Sequence, residues 1–274
     1  MNILIAADME GVSGVVHWDQ VDAKHKEYAR FRKLMTGDVN AAIQGAFEGG
    51  AREIVVSDGH GSARNILVEE LDPRARLNSG SPSPFAMVQG IDTDMDGAIF
   101  VGYHARSGSQ NAILDHTWSG TCVANLSING QLLGEIGINA AVCGHFQVPV
   151  IMISGDQTAC AEARDLLGPI EVAVVKQASG RMAAECLPPK LAQDRIREAA
   201  IRAVQRLRQG QAPQPWRLVS PVTVTLELTR SEMADRAMAL PGARRVGSRT
   251  MEFTVDDAPS AYRTLRIAVA VAKG

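Results

Sequence analysis

The sequence predicts an α/β protein: a layered α/β/α core around a largely parallel or mixed sheet, with a smaller C-terminal α+β domain. Three observations carry this. Strand-length runs such as Asn2–Ala7 are apolar throughout, the mark of strands covered on both faces. These runs alternate with helix-length stretches, the order that builds parallel layers. Beyond Pro188-Pro189 the pattern changes, and Val222, Val224, Leu226 and Leu228 alternate with polar residues as in a half-buried strand.

The first strand is Asn2–Ala7, and residues 33–49 form a helix stopped by Gly49-Gly50. Residues 54–57, 98–102, 148–154 and 172–176 supply further strands, and residues 135–144 and 158–167 supply helices. Asn129-Gly130, between residues 122–128 and 131–133, suits the left-handed backbone of a type I′ hairpin, so the sheet is mixed or the hairpin projects from it. Residues 190–208 form a strongly basic amphipathic helix. Without interleaved aromatics its basic face reads as solvated rather than as a nucleic-acid surface. A polar connection at residues 210–215 precedes a strand at 222–228, a helix at 231–239, a strand at 250–255 and a helix at 258–272. The expected division is a metal-binding catalytic domain over residues 1–189 and a smaller α+β domain over 190–274.

The 274 residues are 46% apolar and 21% charged, an ordinary balance for a globular protein with a large core. Lys and Arg number 28 against 30 Asp and Glu, which gives no support for nucleic acid or an anionic membrane as partner. Acidic residues arrive before any signal-peptide core could form, so no export signal is expected and the cytoplasm is the expected compartment. Cys122, Cys143, Cys160 and Cys186 form no CxxC pair; this argues against a thiolate zinc site and fits free thiols in a reducing compartment. Any metal would be held by oxygen and imidazole.

The unusual residues fall at strand ends. Asp8 and Glu10 are two apart after the first strand and share a side where the extended backbone continues. Two such charges call for a cation or a proton between them, although a turn cap and a solvent-facing carboxylate would account for the pair alone. The next strand ends Ser57-Asp58-Gly59-His60 and the third Val101-Gly102-Tyr103-His104, so two of only six histidines stand where α/β sheets bind ligands. Glu135 opens a helix, either as favourable charge at its N-terminus or as a ligand to a second metal. Asp8, Glu10, His60, His104 and Glu135 exceed what one catalytic zinc with an open position takes, and suit two metals sharing a carboxylate.

His116 lies in a long polar loop at residues 107–121, a natural place for a movable nucleophile or general acid–base; an extra ligand and a surface residue are its other readings. Three weaker candidates could line substrate or support the ligands. Asp58 could accept a hydrogen bond from a liganding imidazole. Asp156 is a helix cap or a site residue. Lys176 is an exposed lysine or a positive charge for an oxyanion. GxGxxG, phosphate-loop, GxSxG and HExxH motifs are absent.

Taken in order, Asp8-Met9-Glu10-Gly11-Val12-Ser13-Gly14, Ser57-Asp58-Gly59-His60, Gly102-Tyr103-His104-Ala105-Arg106, His116, Ile128-Asn129-Gly130, Gly134-Glu135-Ile136-Gly137-Ile138-Asn139, Ser154-Gly155-Asp156 and Val175-Lys176-Gln177 form a specific pattern. Over essentially the whole chain it resembles the D-aminopeptidase family of binuclear zinc peptidases, of the dipeptide-transport type. The resemblance implies two zinc ions per subunit, with Asp8 bridging, Glu10 and His60 completing one site, and His104 and Glu135 the other. It implies His116 as the catalytic histidine, short peptides or amino-acid amides as substrates, and a homo-decamer of stacked five-membered rings enclosing the sites. The loop from Arg106 to His116 is a residue longer than the family pattern, and residues 109–114 and 118–122 differ from it, leaving open whether D- or L-residues are preferred. Residue chemistry alone also permits another binuclear amidohydrolase or phosphatase, or a non-catalytic metal- or peptide-binding module. Zinc is favoured over manganese or cobalt by the resemblance only.

Overall fold

The computed structural model describes residues 1–274. The chain begins with β1 (Asn2–Ala7), α1 (Tyr28–Gly49), β2 (Glu53–Asp58), β3 (Ala75–Asn78) and β4 (Gly97–Val101). A hairpin of β5 (Val123–Ile128) and β6 (Gln131–Leu132) follows, then α2 (Glu135–His145), β7 (Val150–Asp156), α3 (Gln157–Leu167), β8 (Glu171–Gly180), β9 (Ala183–Cys186) and α4 (Pro189–Arg208). The last elements are β10 (Val222–Leu228), α5 (Ser231–Ala237), β11 (Arg244–Arg245), β12 (Thr250–Val255) and α6 (Ala258–Lys273). No helix is long and apolar enough to cross a membrane.

The first sheet has the order β3-β2-β1-β4-β7-β8-β9, parallel except for β9. Its apolar runs are buried on both faces, as expected. Ile3, Ile5 and Ala7 of β1 pack with Phe31, Met35, Ile196 and Ala200 of α1 and α4, while Leu4 and Ala6 join the core on the opposite face, the sorting that a two-residue period imposes. From β1 the chain runs outward through β2 to β3, then returns to β4 on the other side of β1. That reversal opens a crevice at the carboxyl ends of β1, β2 and β4, where open α/β sheets bind ligands.

The second sheet is antiparallel, ordered β11-β12-β10-β5-β6. The Asn129-Gly130 hairpin therefore neither mixes into the first sheet nor projects alone, because β5 pairs with β10 from Val224↔Ile128 to Leu228↔Val123. α4, in turn, packs on α1 and β8 of the first sheet. A boundary at residues 189 and 190 thus fails to separate the two sheets: it cuts α4 from the layer it covers and β5 from its partner. One hydrophobic core runs through both, joining Leu4 and Phe100 to Leu226, Phe253, Tyr262 and Leu265 by way of Ile136 and Ala140 of α2.

The edge strands β3 and β9 escape the sequence pattern, since they are short, only half buried and partly polar at Arg76, Asn78 and Glu185. α1 begins at Tyr28, a turn earlier than its apolar face suggests.

Candidate metal centre

The crevice is built by forcing strand-end loops together. Gly102, with φ 72°, sits so close to the Asp8 carbonyl that a Cβ would lie 2.3 Å from its oxygen. The Asp8 and Gly11 amides donate to the Val101 and Gly102 carbonyls, each at 2.8 Å. On its other side, the same loop rests on Lys176. The Nζ of this fully buried lysine donates to the carbonyls of Glu10 at 2.7 Å, Val12 at 2.9 Å and Val15 at 2.7 Å. Asp38 of α1 adds a second anchor, accepting from the Ser13 amide at 2.8 Å and hydroxyl at 2.9 Å.

Burial pushes the Lys176 ammonium down to about 8 and the Asp38 carboxyl up to about 6. Lys176 is neither exposed nor a substrate contact, because all three of its donors serve the loop. Lys176→Met would strand the buried Glu10 and Val15 carbonyls and leave Val12 with the Val15 amide alone, and is expected to destabilise the metal-free protein by about 3–5 kcal/mol, read by urea unfolding.

Asp8, Glu10, His60, His104 and Glu135 converge. Asp8 Oδ1 lies 3.5 Å from His60 Nδ1, and Asp8 Oδ2 lies 3.4 Å from His104 Nε2. Glu10 Oε2 is 3.0 Å from His60 Nδ1, and Glu135 Oε1 is 3.4 Å from His104 Nε2. Asp8 thus stands between two pairs, Glu10 with His60 and Glu135 with His104. Glu135 does open α2, yet it is buried, and its Oε1 accepts from the Trp118 amide at 2.7 Å.

The ring nitrogens tell what this cluster can hold. A carbonyl can only accept a hydrogen bond, so the imidazole nitrogen beside one carries the proton. His60 Nε2 lies 2.9 Å from the Val21 carbonyl, His104 Nδ1 2.9 Å from Ala105 and His116 Nδ1 2.9 Å from Leu114. In each neutral ring the opposite nitrogen then turns a lone pair toward carboxylates, an arrangement suited to metal ligation.

Two of the facing atoms, Asp8 Oδ2 and His104 Nε2, are buried without any hydrogen-bond partner, as expected of atoms shaped for a cation. The residues therefore fit a divalent metal with mixed oxygen and nitrogen ligands. Donor atoms of Asp8, Glu10 and His104 lie within 4.8 Å of one another, as do those of His104, His116 and Glu135.

Protons take the place of metal charge when none is bound. Burial and the neighbouring Glu10 push Asp8 up to about 7. Burial opposes charge on His60 and His104, but the carboxylates of Glu10 and Asp8 around the first, and of Glu135 and Asp8 around the second, prevail and raise both. Glu10 is held well below the usual carboxylate range, against its burial, by His60. Metal loading would displace these protons.

His116 stacks on His104, with ring centroids 4.0 Å apart, and meets the edge of Trp18 at 5.4 Å. Its Nε2 is 3.6 Å from Glu135 Oε1 and 4.0 Å from Glu10 Oε1. Burial and the charge on His104 lower its affinity for a proton.

Its loop is pinned rather than mobile. Asp156 caps α3 through the Thr158 and Ala159 amides and accepts from the Ile113 amide at 2.7 Å, while Arg181 Nε grips Asp115 at 2.7 Å. Asn111, Leu114 and Trp118 keep positive φ in this loop, a strain of about 1–3 kcal/mol each that these contacts hold in place. Asp156 is therefore a cap that also braces the loop carrying His116. Asp58 does not receive the His60 ring proton, which goes to Val21; it accepts from Asn65 and Ile66 and so shapes the turn after His60.

Asp8, Glu10, His60, His116 and Glu135, but not His104, line a cavity of about 300 Å³, and Lys273 of α6 lines it too. Sequence reading misses Lys273, since only its docking beside the crevice distinguishes it from any lysine at a helix end.

A family model described as D-aminopeptidase matches residues 1–267 of the chain. A D-aminopeptidase of Bacillus subtilis (strain 168) is 34% identical over 268 residues, covering 97% of this chain and 96% of the relative. A solved structure, described as the Zn-dependent D-aminopeptidase DppA from Bacillus subtilis, a self-compartmentalizing protease, matches with a TM-score of 0.95 at 34% identity, over 100% of this chain and 98% of that one.

Proposed function

The chain belongs to the D-aminopeptidase family, and from that premise we propose that it is a zinc-dependent aminopeptidase hydrolysing short peptides or amino-acid amides with a free N-terminus. The observation that carries this reading is the placement of Asp8, whose two oxygens face His60 on one side and His104 on the other. It supports two zinc ions per subunit, one on Glu10 and His60, the other on His104 and Glu135, with Asp8 shared. When bound, the metal supplies a Lewis acid for the carbonyl and a water acidic enough to attack near neutral pH.

The chain's own groups do the remaining work. The Nδ1 hydrogen bond to Leu114 fixes the His116 tautomer, so Nε2 faces the cavity as a lone pair that can take up a proton and return it to the leaving amine. Low proton affinity keeps that nitrogen free at neutral pH. Glu135, by holding the Trp118 amide, ties the cavity wall to the ligand set. Lys176 and Asp38 keep the Asp8–Glu10 loop from relaxing when its charges repel.

The self-compartmentalizing relative supports a homo-oligomer here, and we extend this to a decamer of about ten times the 29.3 kDa chain mass, which light scattering would test. Four free cysteines fit a reducing, cytoplasmic setting.

Metal analysis combined with a panel of D- and L-alanyl peptides tests the function. Protein supplied with zinc is expected to hold two ions per chain and to release free alanine; chelation should abolish turnover and added zinc restore it. Less than one metal per chain together with no amide hydrolysis would overturn the reading. Turnover of phosphoesters instead of amides would move the chain to another class of binuclear hydrolase.

A further inference from the structure

His116 stands between two residues in the left-handed backbone region, Leu114 at φ 51° and Trp118 at φ 61°. A bulky residue leaves that region unless its surroundings hold it there. On the side of the metal ligands Glu135 does so, accepting from the Trp118 amide at 2.7 Å. For Leu114 the holder is Arg181, from the turn that joins β8 to β9.

The Arg181 carbonyl accepts from the Leu114 amide at 2.9 Å. Its guanidinium reaches the next residue, donating through Nε to Asp115 Oδ1 at 2.7 Å and through Nη2 to the Asp115 carbonyl at 2.8 Å. The Leu114–Asp115 peptide is therefore gripped at both ends by one residue. No other residue outside 107–121 hydrogen-bonds to Leu114 or Asp115. The oxygen of that same peptide receives the His116 Nδ1 proton at 2.9 Å. The guanidinium also lies over Trp18, 5.7 Å from its ring centroid, and Trp18 in turn meets the His116 ring edge-on. Two contacts that orient the imidazole, the Leu114 carbonyl and the Trp18 ring, thus lead back to Arg181.

Folding stability does not account for this arrangement. The Arg181 side chain is 50% exposed, and an exposed ion pair contributes little because water screens it. What the planar guanidinium adds is direction, since two donors in a rigid fork fix Asp115 more narrowly than a point charge would.

We propose that Arg181 is a positioning residue for His116: it holds the Leu114–Asp115 peptide so that the Leu114 carbonyl orients the imidazole and Nε2 faces the reacting bond. The inference rests on the aminopeptidase reading and adds to it a residue that does not itself line the metal cavity. Without the guanidinium, Leu114 relaxes out of the left-handed region and its carbonyl swings away from Nδ1. A displacement of about 1 Å at a catalytic group costs about 10²-fold in rate.

The test measures kcat, KM and bound zinc for the zinc-loaded enzyme on the best-cleaved peptide of the D- and L-alanyl panel. R181M is expected to keep its zinc and to melt close to wild type, while kcat falls by about 10²-fold and KM changes little. R181K keeps the charge but not the fork, and should lie between the two. The deciding readout is R181M placed on His116→Ala. A residue that acts only through the imidazole then has nothing left to position, so the double variant should be no slower than His116→Ala alone. A further loss by about the same factor as in wild type would make the role of Arg181 merely structural and overturn the inference. Unchanged kcat in R181M, or loss of zinc from it, would overturn it too. If R181M melts below the assay temperature, R181K carries the same comparison. All these outcomes leave the aminopeptidase reading standing. Failure of wild type to cleave any peptide of the panel fells that reading, and the inference with it.

Discussion

Asp8→Ala is expected to empty both metal positions at once and to leave no measurable peptidase activity. The argument is geometric, since the two oxygens of Asp8 address different histidines brought by different strands: His60 follows β2 and His104 follows β4. Removing Glu10 takes a donor from one side only, so Glu10→Ala should retain a partly filled second site at His104 and Glu135. Elemental analysis after zinc loading and desalting separates the outcomes, with no bound ion expected for the first variant and up to one for the second. The loss in Asp8→Ala should not be a folding defect. In the metal-free protein, burial and Glu10 raise the Asp8 carboxyl to about 7, so its charge is a cost and not a support. Metal-free Asp8→Ala is therefore expected to melt no lower than metal-free wild type. Two tightly bound zinc ions in Asp8→Ala would refute the bridging role.

His116→Ala should do the opposite, keeping the metals while losing kcat by about 10³-fold, with KM little changed. His116 is near the ligands, its Nε2 being 3.6 Å from Glu135, and it could be counted among them on distance alone. What separates it is that five other donors already supply both positions, Glu10 and His60 on one side of Asp8 and Glu135 and His104 on the other. The pH profile gives an independent reading. A base works deprotonated, so kcat/KM falls as pH drops through the pKa of His116. Burial and a charged His104 lower that pKa below the usual histidine value, and a cation bound to His104 acts in the same direction. The acid limb is therefore expected below about pH 6.5, and replacing His116 should remove it. Loss of half the zinc in His116→Ala would assign it to the ligand set instead.

Residues whose role is set within a few positions of chain were legible before the fold was known. Ile3 to Ala7 and Ile54 to Ser57 announce buried strands by composition, and the residues that follow each run must emerge at the same edge of a parallel sheet. That is why Asp8, His60 and His104 could be brought together on paper. Lys176 shows where this logic stops: its place in a strand was visible, but its burial depends on carbonyls of Glu10, Val12 and Val15, far away in sequence. Asp58 was misread for the same reason, because the partner of His60 is Val21, in a loop that no local pattern places nearby. Lys273 was invisible, since amphipathicity says which face of α6 is wet and not what that wet face looks upon.

The interleaving of the two sheets bears on when the protein can become active. All five proposed metal donors lie within the first 135 residues, whereas β10, the partner of β5, and α6, whose Lys273 lines the cavity with them, come last in the sequence. A ribosome delivers the chemistry long before it delivers the enclosure. While synthesis is under way, β5 presents an unpaired edge and the crevice lacks its far side. A nascent chain thus carries its ligands before it carries the wall that closes their cavity.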